Sequence, residues 1–204
     1  MNAVFINGWG ISQDTARTLL EGLGMFDSVA VIQPVRQWKE LASGLAGKAD
    51  VLIGYSTGAF LLMDNLEFAK AFSRRVLLAP FLDFKLEGGM GGKTRAGQLK
   101  VLMRWLGRDP MAALADFYAK AKIGQAVPDD LPVSPLDLVW GIERLLEETR
   151  DVLAMGGFEA HIGNEDALID AARLKELVTS VTIHEGVGHG LEELLKAWKE
   201  GVGR

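Results

Sequence analysis

Short apolar runs alternate along the chain with segments of helical period. The runs are Ala3–Asn7, Ser28–Ile32, Asp50–Tyr55, Arg75–Pro80, Gly157–Ile162 and Ser180–His184. They are rich in Val, Ile, Leu and Phe and show little alternation of polar and apolar positions, as strands buried on both faces do. Each of the first four is separated from the next by enough chain for one helix. The pattern therefore predicts βαβ units and an α/β fold: about six strands, mostly parallel, with helices on both faces. The rhythm fails once, over more than 70 residues between the fourth run and the fifth. That stretch holds a glycine cluster, Gly88–Gly92, which reads as a flexible hinge. Two amphipathic stripes follow, Leu99, Leu102, Met103 and Leu106, then Met111, Leu114, Ala115 and Tyr118. Past Pro128, Pro132 and Pro135 comes a third helix, Leu136 to Thr149, with Ser134 at its N-cap and Pro135 in its first turn. A structureless loop of that length does not suit a compact domain. Residues 82–150 are thus expected to form a helical lid insertion and return helix, set into a core made of 1–81 and 151–204.

Composition narrows the class. The chain has 204 residues, 49% hydrophobic and 24% charged, which suits one globular domain. Its net charge of −5 argues against a generally basic, nucleic-acid-binding surface. The absence of cysteine removes disulfides, thiolate metal sites and a cysteine nucleophile. The longest uncharged runs, Met1–Gln13 and Val51–Met63, are 13 residues each, short of the roughly 18 that span a bilayer. Met1–Gln13 has neither the basic start nor the cleavage pattern of a signal peptide. The expectation is a cytoplasmic protein with no membrane or nucleic-acid partner.

The chemistry concentrates in Gly54-Tyr55-Ser56-Thr57-Gly58, which follows a predicted strand and precedes a predicted helix, Ala59 to Phe72. This is G-x-S-x-G in the strand–turn–helix context the motif requires, with a turn so sharp that only glycine fits beside it and a serine hydroxyl at the tip. A serine nucleophile needs a base. Of the three histidines, His161 and His184 end predicted strands, whereas His189 lies in the glycine-rich loop Gly186-Val187-Gly188-His189-Gly190 and comes last in chain order, as this arrangement demands. The base needs an orienting carboxylate. Asp166, in Gly163-Asn164-Glu165-Asp166 after the fifth strand, is favoured by its spacing from His189, and Asp83 after the fourth strand is the alternative. An oxyanion needs two N–H donors. The amide of Thr57, directly after the serine, and that of Trp9, in the loop Asn7-Gly8-Trp9-Gly10, are the candidates. Two near-misses are set aside. Glu87 to Thr94 resembles a phosphate-binding loop but has Glu87 where the first glycine belongs. His184 to His189 resembles H-E-x-x-H but is one residue too long, so no metal and no cofactor are expected.

Taken in order, Phe5-Ile6-Asn7-Gly8-Trp9-Gly10, Gly-Tyr-Ser-Thr-Gly, Gly-Asn-Glu-Asp and Gly-Val-Gly-His-Gly resemble the α/β-hydrolase superfamily over almost the whole chain. The segment from Thr94-Arg95-Ala96-Gly97 through Asp109-Pro110 to Asp116-Phe117-Tyr118 is similar to the lid of the esterases that hydrolyse pimeloyl-acyl-carrier-protein methyl ester in biotin synthesis. The resemblance implies a serine carboxylesterase with Ser56 as nucleophile, His189 as base, Asp166 as acid and the Trp9 and Thr57 amides as oxyanion hole. Two departures stand out: Asn7 replaces the usual histidine before the first glycine, and the chain begins at the oxyanion strand without the family's N-terminal hairpin. The substrate expected is a small acyl ester, in its specific form carrier-bound. The other readings are a general short-chain carboxylesterase or thioesterase, and an inactive hydrolase-fold binding protein.

Charge along the lid bears on the partner. Lys85–Arg108 holds six basic residues against Glu87, a net +5 in a chain of −5. Lys100, Arg104 and Arg108, four apart, are expected along one edge of the first lid helix, and with Arg95 they are the candidate contacts for an acidic acyl carrier protein.

Overall fold

The computed structural model describes residues 1–202, so Gly203 and Arg204 of the expected core range lie outside the described residues. The elements run β1 (Asn2–Ile6), α1 (Gln13–Gly22), β2 (Ser28–Ile32), α2 (Trp38–Ser43), β3 (Val51–Tyr55), α3 (Thr57–Met63), α4 (Leu66–Lys70) and β4 (Arg74–Leu78). Then come α5 (Ala96–Leu106), α6 (Pro110–Ala121) and α7 (Pro135–Glu147), followed by β5 (Glu159–Gly163), α8 (Ala171–Leu177), β6 (Thr182–His184) and α9 (Leu191–Val202). All six strands are parallel, in the order β2-β1-β3-β4-β5-β6. Their apolar runs are dry on both faces: Phe5, Ile6, Leu52, Ile53, Leu77 and Leu78 are fully buried.

The strand order reverses once. From β1 the chain steps outward to β2, then returns past β1 to β3. Right-handed crossovers therefore put α1 and the helices that follow β3 on opposite faces. The gap between the carboxyl ends of β1 and β3 becomes the switch point, where a crevice opens above the sheet. The loop holding Trp9 leaves from one side of that crevice and the turn holding Ser56 from the other. On the α1 face, α1 packs beside α9, and Ser12 caps α1 by accepting the Thr15 N–H at 3.0 Å.

Three local expectations need correction. The helix expected over Ala59–Phe72 is two short helices, α3 and α4, broken at Asp64-Asn65. Both residues compete with helical hydrogen bonding, and Asp64 is further engaged by Lys39 and Arg144. In α6 the buried positions are Ala113, Leu114, Tyr118 and Ala121, so Ala113 faces inward where Ala115 was expected. The glycine cluster is not a free hinge. Gly92 forms an antiparallel bridge with Ile169, the Lys93 N–H donates to Leu168 O at 2.8 Å and the Asp170 N–H to Gly91 O at 2.7 Å. A side chain at Gly92 would strike the Phe84 backbone, and one at Gly88 the Asp83 carboxylate. The glycines allow two backbones to meet closely, and they fasten this segment to the loop after β5.

The last helix before β5 carries the start signal read in the sequence, and α6 carries one of the same kind that the sequence reading did not assign. Asp109 caps α6 on the Ala112 N–H and Ser134 caps α7 on the Asp137 N–H, each with proline in the first turn. Helix α5 packs against both α6 and α7. The C-terminus of α7 is tied back by Lys85, whose Nζ donates to Leu145 O and Glu148 O and pairs with Asp83 at 2.9 Å. A cation there also complements the helix dipole. Among the described residues, no helix is long and apolar enough to cross a membrane.

Candidate active site

Ser56 sits between β3 and α3 at φ 51°, ψ −114°. An L-residue there stores about 1–3 kcal/mol of strain, held by the ladder before it and the helix after it. The Ser56 N–H still donates to Leu78 O at 2.8 Å, and Ser56 O already accepts the Phe60 N–H at 3.0 Å. The flanking glycines are sterically obligatory. A Cβ on Gly54 would stand 2.8 Å from the Ala59 Cα, and one on Gly58 would overlap the Ile6 carbonyl.

Three side chains from three loops meet at this turn. His189 Nε2 lies 3.0 Å from Ser56 Oγ, and His189 Nδ1 lies 2.7 Å from Asp166 Oδ2. Asp166 also accepts the backbone N–H groups of Leu168 and Ile169 on Oδ1, at 2.8 and 2.9 Å. Because a carboxylate only accepts, the proton belongs on Nδ1, which leaves Nε2 free to receive the serine hydroxyl proton. All three residues are buried, Ser56 at 7% exposure being the most accessible. The line Ser56–His189–Asp166 is thus a continuous relay out of bulk water. Asp83, the alternative carboxylate, is not part of it. It is buried against Lys85, accepting that residue's N–H at 2.7 Å and its ammonium at 2.9 Å.

The loop after β1 packs against both sides of the serine in the chain, the Ile6 and Asn7 carbonyls at its start against Gly58 and its Gly8 against Tyr55. Asn7, fully buried, supports it from both ends: Oδ1 accepts the Gly8 N–H, while Nδ2 donates to Ile11 O at 2.9 Å and reaches Gln33 Oε1 at 3.2 Å. Its short amide thus ties the loop where the resembling family has histidine. Gly10 takes φ 77°, and its carbonyl accepts the Tyr118 hydroxyl at 3.0 Å. Burial raises the Tyr118 phenol to about 12, so it stays a donor at working pH. The Trp9 indole donates to Leu138 O at 2.9 Å and meets Phe117 edge-on, clamping the loop to α7 and α6. Among the described residues, neither the Trp9 nor the Thr57 backbone N–H has a protein acceptor.

Sequence reasoning missed Tyr55, Asn7's bracing and Glu193. The Tyr55 hydroxyl donates to His189 O at 2.7 Å, and Glu193 accepts the Gly188 N–H at 2.8 Å. The only signal available was that a tyrosine inside a buried strand must place its hydroxyl on some acceptor. Among the described residues there is no group of three or more His, Cys, Asp or Glu that could hold a metal ion.

His161 and His184 lie away from this relay, against each other, with His161 Nδ1 3.1 Å from His184 Nε2. Glu159, Arg74 and Glu200 are the charged groups near the pair. Burial, then the neighbouring imidazole, depress His161 to about 4, and burial lowers His184. A histidine whose folded value falls below its unfolded one (about 6.5) stabilises the fold fully above that value and less as pH falls through the window down to about 4. Melting temperature should therefore drop between pH 7 and pH 4.5, and His161→Gln should flatten that slope; an unchanged slope would contradict the assignment.

The basic lid residues are spread more than their spacing suggested. Lys100 and Arg104 line a groove shared with Glu143 and Glu147 of α7. Arg108 lies beyond the end of α5, in the turn to α6, so the three do not share one helix edge. Arg95 is the exposed N-cap of α5. Arg104 and Arg108 flank Trp105, which with Val101 forms an exposed apolar pair, 36% and 51% accessible.

Comparison with known proteins agrees with this architecture. The profile of the alpha/beta hydrolase family matches residues 4–194. Similar folds include an esterase from Exiguobacterium antarcticum, at TM-score 0.72 and 16% identity, covering 99% of this chain and 90% of that one. A thermophilic esterase from Thermogutta terrifontis matches at TM-score 0.67 and 10% identity, over 99% and 88% of the two chains. A hydrolase from Oleispira antarctica matches at TM-score 0.65 and 12% identity, over 98% and 86%. Comparison with curated protein sequences returns no match. With the profile spanning nearly the whole length and the sheet order, elbow and loop arrangement all in agreement, the chain belongs to the α/β-hydrolase family.

Proposed function

We propose that the protein is a serine carboxylesterase working through an acyl-enzyme. Ser56 Oγ attacks the ester carbonyl as His189 Nε2 takes its proton. Asp166 holds the imidazole with its proton on Nδ1 and offsets the charge that forms. The unpartnered N–H groups of Trp9 and Thr57 receive the oxyanion. His189 then protonates the departing alcohol, and the same imidazole activates the water that releases the acid. The observation that carries this reading is the relay itself, 3.0 Å from Ser56 to His189 and 2.7 Å on to Asp166, set on a serine in a strained turn. The two esterases among the similar folds favour esters as the substrate class. Pre-steady-state hydrolysis of p-nitrophenyl esters tests it. An acyl-enzyme predicts a burst of p-nitrophenol close to one equivalent of protein. No release above the buffer rate, with no adduct, would favour an inactive binding protein, and turnover without any trappable adduct would contradict the acyl-enzyme.

The finer reading is a methyl ester on an acyl carrier protein in biotin synthesis, in the cytoplasm. It is supported by the Arg104–Trp105–Arg108 surface, basic on an acidic protein, where complementary charge would steer an acidic carrier. Arg104→Glu with Arg108→Glu should lower kcat/KM for a carrier-bound ester about tenfold and flatten its salt dependence, with a free p-nitrophenyl ester unaffected. Equal loss on both substrates would indicate lid damage, and no loss on the carrier-bound one would end the docking idea. A second reading is a general short-chain carboxylesterase or thioesterase; in its favour is a small cavity of about 270 Å³ between α5, α6 and the loop after Asp166, walled by Leu99, Leu102 and Phe117 and by the charged Lys93, Asp116 and Lys120, with Ser56 not among its walls. Graded chain lengths would then give a short-chain optimum with no advantage for a carrier.

A further inference from the structure

Tyr55 has no task in the chemistry proposed above, yet it adjoins the nucleophile in the chain, bonds the residue of the base and packs against the loop of Trp9. It is the last residue of β3, 1% exposed, and its own carbonyl leads into Ser56. Its hydroxyl donates to the carbonyl of His189 at 2.7 Å. The Cδ1–Cε1 side of its ring lies against Gly8, where an added Cβ would stand 2.6 Å from both atoms. Gly8 directly precedes Trp9.

The backbone of His189 needs such a restraint. Gly188 and Gly190 flank it, the residue type with the widest backbone freedom. The surrounding loop is held elsewhere: the Gly188 N–H on Glu193, Val187 O on the Glu165 N–H, and Gly190 O on the Leu194 N–H. The ring of His189 is held by Asp166. Its main chain is held by Tyr55. Burial first, and then the nearby Asp166, Tyr118 and Glu193, push the Tyr55 phenol well above its usual range, so it remains a neutral donor at any pH where the enzyme would work.

We infer that Tyr55 is a positioning residue. Its hydroxyl sets the height of His189 over Ser56 while its ring backs the loop that presents the Trp9 amide, so base and oxyanion loop are aligned to the strand that carries the nucleophile. This rests on the proposed function, in which Ser56 and His189 react.

Tyr55→Phe removes only the hydroxyl and keeps the ring against Gly8. The rate of Ser56 labelling by a fluorophosphonate, and kcat for a p-nitrophenyl ester, should fall between about tenfold and a hundredfold. KM should stay within about twofold. The melting temperature should fall only a few degrees. A purely structural hydroxyl would not discriminate between kcat and KM in this way. A double-variant cycle adds a second test: in an Asp166→Asn background, where the imidazole is already misoriented, the Tyr55→Phe penalty should shrink toward none. Equal labelling rates for wild type and Tyr55→Phe, or a penalty undiminished in the cycle, would overturn the inference while leaving the nucleophile intact. A wild type that takes no label would overturn the serine-esterase reading and this inference together, and the two failures are thereby told apart.

Discussion

Ser56→Ala should lower kcat for a p-nitrophenyl ester by at least about a thousandfold, leaving the small residual catalysis that an oxyanion hole and binding provide alone. The variant should remain folded, because among the described residues the hydrogen-bond partner of Ser56 Oγ is His189 alone. Strain offers an independent check on the same residue. At φ 51° alanine is as uncomfortable as serine, whereas glycine is at ease there. Ser56→Gly should therefore be as inactive as Ser56→Ala but more stable than it by about 1 kcal/mol, a melting difference of about 2–4 °C for a chain of this size. Thermal denaturation of the two variants side by side would test this. Identical melting temperatures would contradict a strained elbow, and retained turnover in either variant would contradict a serine mechanism.

Asp166→Asn should cost about 10³–10⁴ in kcat, because an amide facing Nδ1 favours the wrong imidazole tautomer. His189→Ala should cost at least as much, and the double variant hardly more than the worse single one, since groups that act as one unit are strongly non-additive. Asp83→Asn is the informative contrast. Asp83 is as deeply buried as Asp166, but its partner is Lys85, itself 16% exposed and closing the end of α7. Breaking that pair should cost about 3 kcal/mol in stability, read from urea unfolding, with kcat nearly unchanged for the folded fraction. Near-normal turnover in Asp166→Asn, with Asp83→Asn inactive, would transfer the acid's role to Asp83.

The strands were legible because a sheet covered on both faces writes continuous apolar runs, and Val51–Tyr55 running through Gly54 into Ser56-Thr57-Gly58 leaves one conformation open to a strand that must turn at once into a helix. The cap of α7 was legible for the same local reason: Ser134 before Pro135 starts a helix with little help from the rest of the molecule, and Asp109 before Pro110 carries the same signal at α6, where the sequence reading left it unused. What depended on distant chain was not legible. Gly88–Gly92 looks mobile in sequence and is fastened, because its bridging partners lie about 75 residues later in the loop after β5, at Leu168–Asp170. Asp83 and Asp166 both follow a strand and precede a turn; only the packing of Lys85 under α7 separates a structural carboxylate from the one that faces His189. Spacing marked Ser56, His189 and Asp166 as candidates, but their mutual distances follow from the sheet order, which brings the ends of β3, β5 and β6 to one rim. A tyrosine in a buried strand announces that its hydroxyl has an acceptor, but not which one, because the partner of Tyr55 is a main-chain carbonyl and leaves no trace in residue identity.

The central claim, that Ser56 is the nucleophile of a serine hydrolase, is tested most directly by locating a fluorophosphonate adduct. Protein treated with the probe, digested and sequenced by mass spectrometry should carry one adduct, on the serine of the peptide spanning Gly54-Tyr55-Ser56-Thr57-Gly58, and Ser56→Ala and His189→Ala should carry none. Labelling at another residue, or equal labelling of wild type and Ser56→Ala, would contradict it.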